Sequence, residues 1–295
     1  MQHANKLVTT NMHTLKENRM KTELFTIHTL TNLHVGSGDI NFNVIDNQVQ
    51  RDSITNLPNI NSSSLKGAFR EHFTKAGEDD SNMVKYIFGG SNSDNNSHAS
   101  GAYHFFEASL LTRPVRSNVK PYFNAISSAV LKSLLSTIKN FSINFDEDIK
   151  KELEMLSKLD IDKGTPVIFE DLGKDVFLED DKAIYKNLNI EKLQTFLGEN
   201  IAIFDDNDFQ ELDLPILARN ALEDGMSKNL WYEEVVPKMS KFFFCIAKVD
   251  HINDKDYKDK IKGFENRFNT DGNIVQFGAN KSIGYGYSKV EKISL

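Results

Sequence analysis

Asp46 follows Val44-Ile45 in a polar, turn-rich stretch. A carboxylate on such a loop can hold a divalent metal ion (Mg or Mn) and help to activate a hydroxyl nucleophile. The ordinary alternative is a solvated loop aspartate. His34, in Leu33-His34-Val35-Gly36-Ser37-Gly38, can act as a general acid or base near neutral pH, or can be a loop histidine bonded to backbone. Glu233, in Leu230-Trp231-Tyr232-Glu233-Glu234, is a further candidate carboxylate, with a surface-strand role as its alternative.

A second set of residues suits phosphate. Ser62-Ser63-Ser64 reads as a helix cap, and Lys66 lies in the first turn after it. Helix N–H groups and a cation together make an anion site. Arg70 is one turn further on, and Arg51 precedes the same helix. Gly278, Gly284 and Gly286 allow a sugar-phosphate chain to approach the backbone closely, or simply make turns. Trp231, the single tryptophan, can stack on a base or anchor a hairpin.

Familiar enzyme motifs are missing. There is no G-x-S-x-G, no G-x-x-x-x-G-K-[ST] and no H-E-x-x-H. The eight histidines do not cluster at ligand spacing, and one cysteine, Cys245, excludes a disulfide framework and a thiolate zinc site. Cys245 lies in a phenylalanine-rich run and reads as a buried thiol.

The 295 residues can bury a large core. The net charge of −7 argues against generic nucleic-acid binding, but its distribution changes that reading. From Asp146 to Asp213 there are 20 acidic and 8 basic residues, so the rest of the chain carries about +5. From Ala108 to Phe145 there are five bases and no acid. Met1 to Glu23 has no apolar core, and no run approaches the ~20 residues of a membrane span, so a cytoplasmic protein without membrane contact is expected.

The elements that must position these residues follow from periodicity. Thr22–Leu30 is apolar on both faces, as in a central strand. Leu65, Phe69 and Phe73 mark one amphipathic helix, and Ile126, Val130, Leu134 and Ile138 another. The acidic segment predicts a helix at Ile149–Leu159, a hairpin at Val167–Tyr185 and a helix at Ile190–Leu197. Lys241–Val249 reads as a buried strand, Tyr257, Ile261, Phe264 and Phe268 as a helix, and Val275–Phe277 and Tyr287–Ile293 as the last strands. Ser91–Gly101 reads as a mobile loop. The order predicts an α+β fold with an antiparallel sheet, ferredoxin-like with long insertions. Leu217–Asn229 reads as a polar hairpin that projects from the body and turns at Gly225.

Taken together and in order, H-V-G-S-G (34–38) and V-I-D (44–46), S-S-L-K-G (63–67), L-W-Y-E-E (230–234) and G-A-N-K-S-I-G-Y-G (278–286) resemble the RAMP superfamily of CRISPR effector subunits. The combination is similar to the backbone subunit of the type III-B (Cmr) complex, from about Thr22 to the end. The segment Ile143–Leu214 matches poorly.

The resemblance implies a modified ferredoxin-like (RRM-type) fold with a projecting thumb hairpin at about 217–231 and an acidic insertion at about 143–214. Residues 22–295 would form one domain behind a flexible extension at 1–21. It implies partners: a CRISPR RNA, a target RNA, further copies of the chain and other Cmr subunits. It also implies target cleavage at Asp46 with a divalent metal, with His34 and Glu233 beside it and Arg51, Ser64, Lys66, Gly67, Arg70, Trp231, Gly278, Gly284 and Gly286 on RNA. Val235 stands where the family often has tyrosine. The alternatives are a non-catalytic guide-binding scaffold and a stand-alone nuclease that processes the transcript.

Overall fold

The computed structural model describes residues 21–38, 44–75, 81–90, 100–248 and 273–293. In chain order, β1 (Lys21–Thr29) is followed by β2 (Asn59–Ile60), α1 (Ser62–Lys75), α2 (Ser81–Phe88), β3 (Tyr103–Phe105), β4 (Ala108–Val115), β5 (Phe123–Ser127) and α3 (Ser128–Asn140). The acidic segment supplies α4 (Glu147–Leu156), β6 (Val167–Ile168), β7 (Val176–Leu178), β8 (Asp181–Tyr185), α5 (Glu191–Leu197), β9 (Ile201–Phe204) and α6 (Asp206–Glu211). The chain then forms β10 (Ile216–Glu223), β11 (Met226–Glu234), β12 (Lys241–Lys248), β13 (Ile274–Gln276), a 3-10 turn (Lys281–Ile283) and β14 (Tyr287–Lys292). The helix expected around Tyr257–Phe268, the extension at 1–20 and most of the loop at 91–101 lie outside the described residues. Among the described residues no helix is long and apolar enough to cross a membrane.

The main sheet runs β13-β14-β1-β12-β4-β5-β9-β6-β8-β7, with β2 beside β4 and β3 beside β12. All its pairings are antiparallel except β5–β9 and β6–β8. This is the expected α+β, ferredoxin-like layout, but the insertion's strands make the sheet mixed where an antiparallel one was expected. β1 is central, between β12 and β14, as its two apolar faces require.

Phe25 stacks on Phe244 with ring centres 5.2 Å apart. Phe69 of α1 meets Phe105, Phe244 and Phe277 at 5.8, 5.7 and 5.5 Å. Each such fully buried ring contributes about 1.5–3 kcal/mol. Leu65, Phe69 and Phe73 face this core, so Lys66 and Arg70 are turned onto the helix flank.

Two boundaries differ from the sequence expectation. Ile126 belongs to β5, where it pairs with Ile203 of β9, and α3 starts only at Ser128. Parallel pairing with the insertion claims the residue that helical spacing had assigned to the helix. Ser62–Ser64 form the first turn of α1, and the Leu65 N–H is taken by the Asn61 carbonyl at 2.9 Å.

Part of the insertion's acidity has a local cause. Asp146 caps α4 by accepting from the N–H groups of Asp148 and Ile149, and Asp205 caps α6 through Asn207 and Asp208.

β10 and β11 form a separate two-stranded sheet. Asp224 and Gly225 both have positive φ, 51° and 79°, and Glu223 pairs with Met226 across them. A two-residue turn with that backbone suits Asp-Gly. Residues 220–230 are all exposed, so the hairpin projects with no core on either face.

Candidate active site

The segment Tyr232-Glu233-Glu234 at the hairpin's root gathers the three candidate catalytic groups. Asp46 Oδ2 accepts from the Tyr232 N–H at 2.8 Å. Asn47 then pairs with this stretch: its N–H donates to the Tyr232 carbonyl at 3.1 Å, and its carbonyl accepts from Glu234 at 2.9 Å. The loop thus lies along β11 on the side away from β10. Asp46 itself is exposed, which leaves Oδ1 on an accessible side chain.

His34 is buried, and its Nδ1 lies 2.7 Å from the Glu234 carbonyl. A ring that donates there carries its lone pair on Nε2 when neutral. Nε2 faces Gly36, where an added Cβ would sit 3.4 Å away. Glu233 is 3% exposed, and both of its oxygens are engaged. Oε2 accepts from Arg219 Nη1 at 2.9 Å, and Oε1 accepts from Asn280 Nδ2 at 2.6 Å. Glu234 accepts from the Val49 N–H and from Arg51 Nη2.

Arg51 is therefore tied to the hairpin root. Its other contact is with the Asn56 carbonyl, so it does not join Lys66 and Arg70 on α1. Lys66 and Arg70 remain half-exposed, with Ser64 and Gly67 exposed beside them. A Cβ on Gly67 would meet nothing within 4 Å. That face of α1 is thus open to close approach.

The glycine loop divides. A Cβ at Gly278 would collide with the His34 carbonyl, and one at Gly286 with the Phe277 carbonyl. Both positions also have positive φ, so the protein's own packing already demands glycine there. Gly284 also has positive φ, but open space lies around it. Lys281, in the same loop, reaches Glu71 of α1 at 3.4 Å and so links the loop to the α1 face.

Trp231 is half-buried, with the Arg219 guanidinium 5.8 Å from its ring centre. Sequence reasoning missed Arg219 and Tyr285, and used Asn280 only as a motif letter. Arg219 sits in a polar hairpin with nothing in its spacing to mark it.

Among the described residues no group of three or more His, Cys, Asp or Glu could hold a metal ion. Asp46, as an exposed carboxylate, would offer a hard divalent ion a single oxygen-type ligand.

The RAMP superfamily model matches residues 26–290. The chain is 30% identical over 287 residues to the CRISPR system Cmr endoribonuclease Cmr4 of Pyrococcus furiosus, covering 92% of this chain and 95% of that protein. The chain belongs to the RAMP superfamily, and within it to the Cmr4 (Cas7-like) backbone subunits of type III-B complexes. Its fold superposes with a TM-score of 0.75 on a chain of the type III-B Cmr-beta complex bound to cognate target RNA. That match is 23% identical and covers 94% of this chain and 98% of the other. Oligomeric Cmr4 from Pyrococcus furiosus superposes with a TM-score of 0.68, at 22% identity in the structural alignment, covering 94% of this chain and all of that one.

Proposed function

We propose that this chain is a backbone subunit of a type III-B CRISPR effector, that it binds the CRISPR RNA, and that it cleaves complementary target RNA at Asp46. The observation that carries this reading is the convergence of Asp46, His34 and Glu233 on Tyr232–Glu234, at the foot of a projecting hairpin. The hydrogen bond from Tyr232 fixes one carboxylate oxygen and leaves the other to take the proton of an attacking ribose 2′-hydroxyl. His34 and Glu233 brace the strand that presents Asp46. A divalent metal on Asp46 would supply charge neutralisation at the scissile phosphate.

The guide backbone runs past Ser64, Lys66, Gly67 and Arg70 and the glycine loop at Gly284, where open space lies beside the backbone. Cations and an open helix glycine there suit a phosphate chain. Further copies of the chain and other Cmr subunits assemble along the same RNA, in the cytoplasm. The exposed Asp46 favours the nuclease over a non-catalytic scaffold.

RNA extracted from the complex that purifies with this chain tests the reading. Guide RNA of uniform 5′ ends is expected, together with cleavage of a matched RNA. A complex free of RNA, or one that binds a matched target without cutting it, contradicts the reading.

A further inference from the structure

The hairpin meets the glycine loop through one cation and one buried carboxylate. Arg219 and Trp231 are cross-strand partners, and Glu233 lies two residues beyond Trp231 on the same face. The Arg219 guanidinium bonds Glu233 and lies 5.8 Å from the Trp231 ring centre and 5.5 Å from that of Tyr285. Glu233 in turn accepts from Asn280. Asn280 and Tyr285 both belong to the glycine loop, where the Tyr285 N–H donates to the Asn280 carbonyl at 3.3 Å. Asn280 holds a left-handed backbone, φ 63°, which asparagine tolerates.

We propose that Arg219 is a positioning residue, which fixes the angle between the hairpin and the glycine loop and so the place of Asp46. The proposal rests on the functional reading above, because Asp46 matters only if it is the cutting group. Arg219 acts through Glu233 and the two rings and touches no reacting atom. Asp46 rides on the same strand, through the Tyr232 N–H. The guide grip on α1 is joined to the glycine loop through Lys281 and Glu71. The Arg219 latch therefore lies between the group that cuts and the surface that holds the RNA. A lysine cannot replace it, because a point charge offers neither the planar fork nor the stacking surface. A displacement of about 1 Å at a catalytic group costs up to ~100-fold in rate.

Two measurements test this. Spin labels at Met226→Cys on the hairpin tip and Lys139→Cys at the end of α3 report the hairpin's pose in the free full-length chain. Both sites are exposed, and Cys245 is buried with its thiol pushed up to about 12, so it stays unlabelled. Single-turnover cleavage of a matched RNA by the reconstituted complex reports the chemistry. Arg219→Lys, Arg219→Ala and Tyr285→Leu are compared with the unsubstituted chain, the last removing the glycine-loop ring while leaving the ion pair and Trp231.

The expected result is a broadened tip-to-body distance in all three variants, with cutting reduced about 10- to 100-fold at saturating target and unchanged guide content. An unchanged distance distribution overturns the latch whatever the cleavage. A broadened distribution with undiminished cutting overturns the positioning role. If the unsubstituted complex does not cut, the functional reading falls, and the distance measurement alone decides the latch.

Discussion

The Asp46 carboxylate is bonded to the backbone N–H of Tyr232, a residue 186 positions later in the chain. The exposed carboxylate and the projecting hairpin therefore form one unit, although they come from opposite ends of the sequence. This unit meets the rest of the site through the buried His34, Glu233 and Glu234: His34 lies on the Glu234 carbonyl, Arg51 on the Glu234 carboxylate, and Arg219 and Asn280 on that of Glu233.

The phosphate grip is assigned to Lys66 and Arg70. A Lys66→Glu/Arg70→Glu double variant should lose co-purifying RNA and assembly while its thermal midpoint barely moves, since surface changes stay within about 0.5 kcal/mol. RNA binding by the unsubstituted chain should weaken as salt rises. Full RNA content in the double variant at moderate salt would remove the assignment.

The glycines separate packing from binding. Gly67→Ala should stabilise the free chain by roughly 0.5–1 kcal/mol, because helical alanine is preferred and space is open. The same change should weaken RNA binding if the guide backbone passes over Gly67. Gly278→Ala and Gly286→Ala should destabilise the free chain, through the collisions with the His34 and Phe277 carbonyls. Denaturant midpoints and RNA affinity on the same variants check both expectations. A Gly67→Ala chain that binds RNA normally would move the guide path off α1.

His28 gives the fold a pH dependence. It lies on β1 opposite Lys241 of β12 and Lys289 of β14. Burial first, then the charge of Lys241, holds its imidazole below the ordinary 6.5, against a smaller opposing pull from Glu291. The unfolded chain therefore binds a proton at a pH where the folded chain does not. The stability contributed is full above about pH 6.5 and is lost as pH falls toward the folded value. His28→Gln should flatten this part of the acid limb in denaturant midpoints taken from about pH 7.5 down to about pH 5. Identical slopes for the two chains would contradict it.

The sequence made local structure legible where one packing rule decides it. β1 reads as central because both its faces are apolar. The α1 register follows from Leu65, Phe69 and Phe73, and the hairpin turn from Gly225, to which the structure adds Asp224 with positive φ. The two helices expected in the acidic segment fall within three residues of expectation, while α6 carries too short an apolar pattern to be read. Ile126 was misassigned because a parallel pairing with Ile203, 77 positions away, cannot be read from helical spacing.

The site residues near Asp46 were legible as motif letters but not as partners. Glu233 reads as a candidate site carboxylate and Arg51 as a phosphate contact, and the fold commits both to ion pairs at the hairpin root. Gly278 and Gly286 read either as places for close backbone approach or as turns, and in the fold an added Cβ at either would meet a backbone carbonyl, of His34 or of Phe277. Arg219 carries no local signal: Trp231 and Glu233 meet it across the hairpin, Tyr285 meets it only where the hairpin reaches the glycine loop, and Asn280 joins through Glu233.

The most direct test is single-turnover cleavage of a matched RNA by the reconstituted complex carrying Asp46→Ala, with divalent metal and with chelator. Removing an exposed carboxylate should leave the fold, guide content and target affinity intact. Charge and proton control at the scissile phosphate stabilises the transition state, so its loss should appear in rate and not in binding. The account predicts normal target binding and no cleavage by Asp46→Ala, and no cleavage by the unsubstituted complex in chelator. Undiminished cutting by Asp46→Ala would contradict the assignment of the chemistry to Asp46, and cutting in chelator by the unsubstituted complex would contradict the metal's part in it.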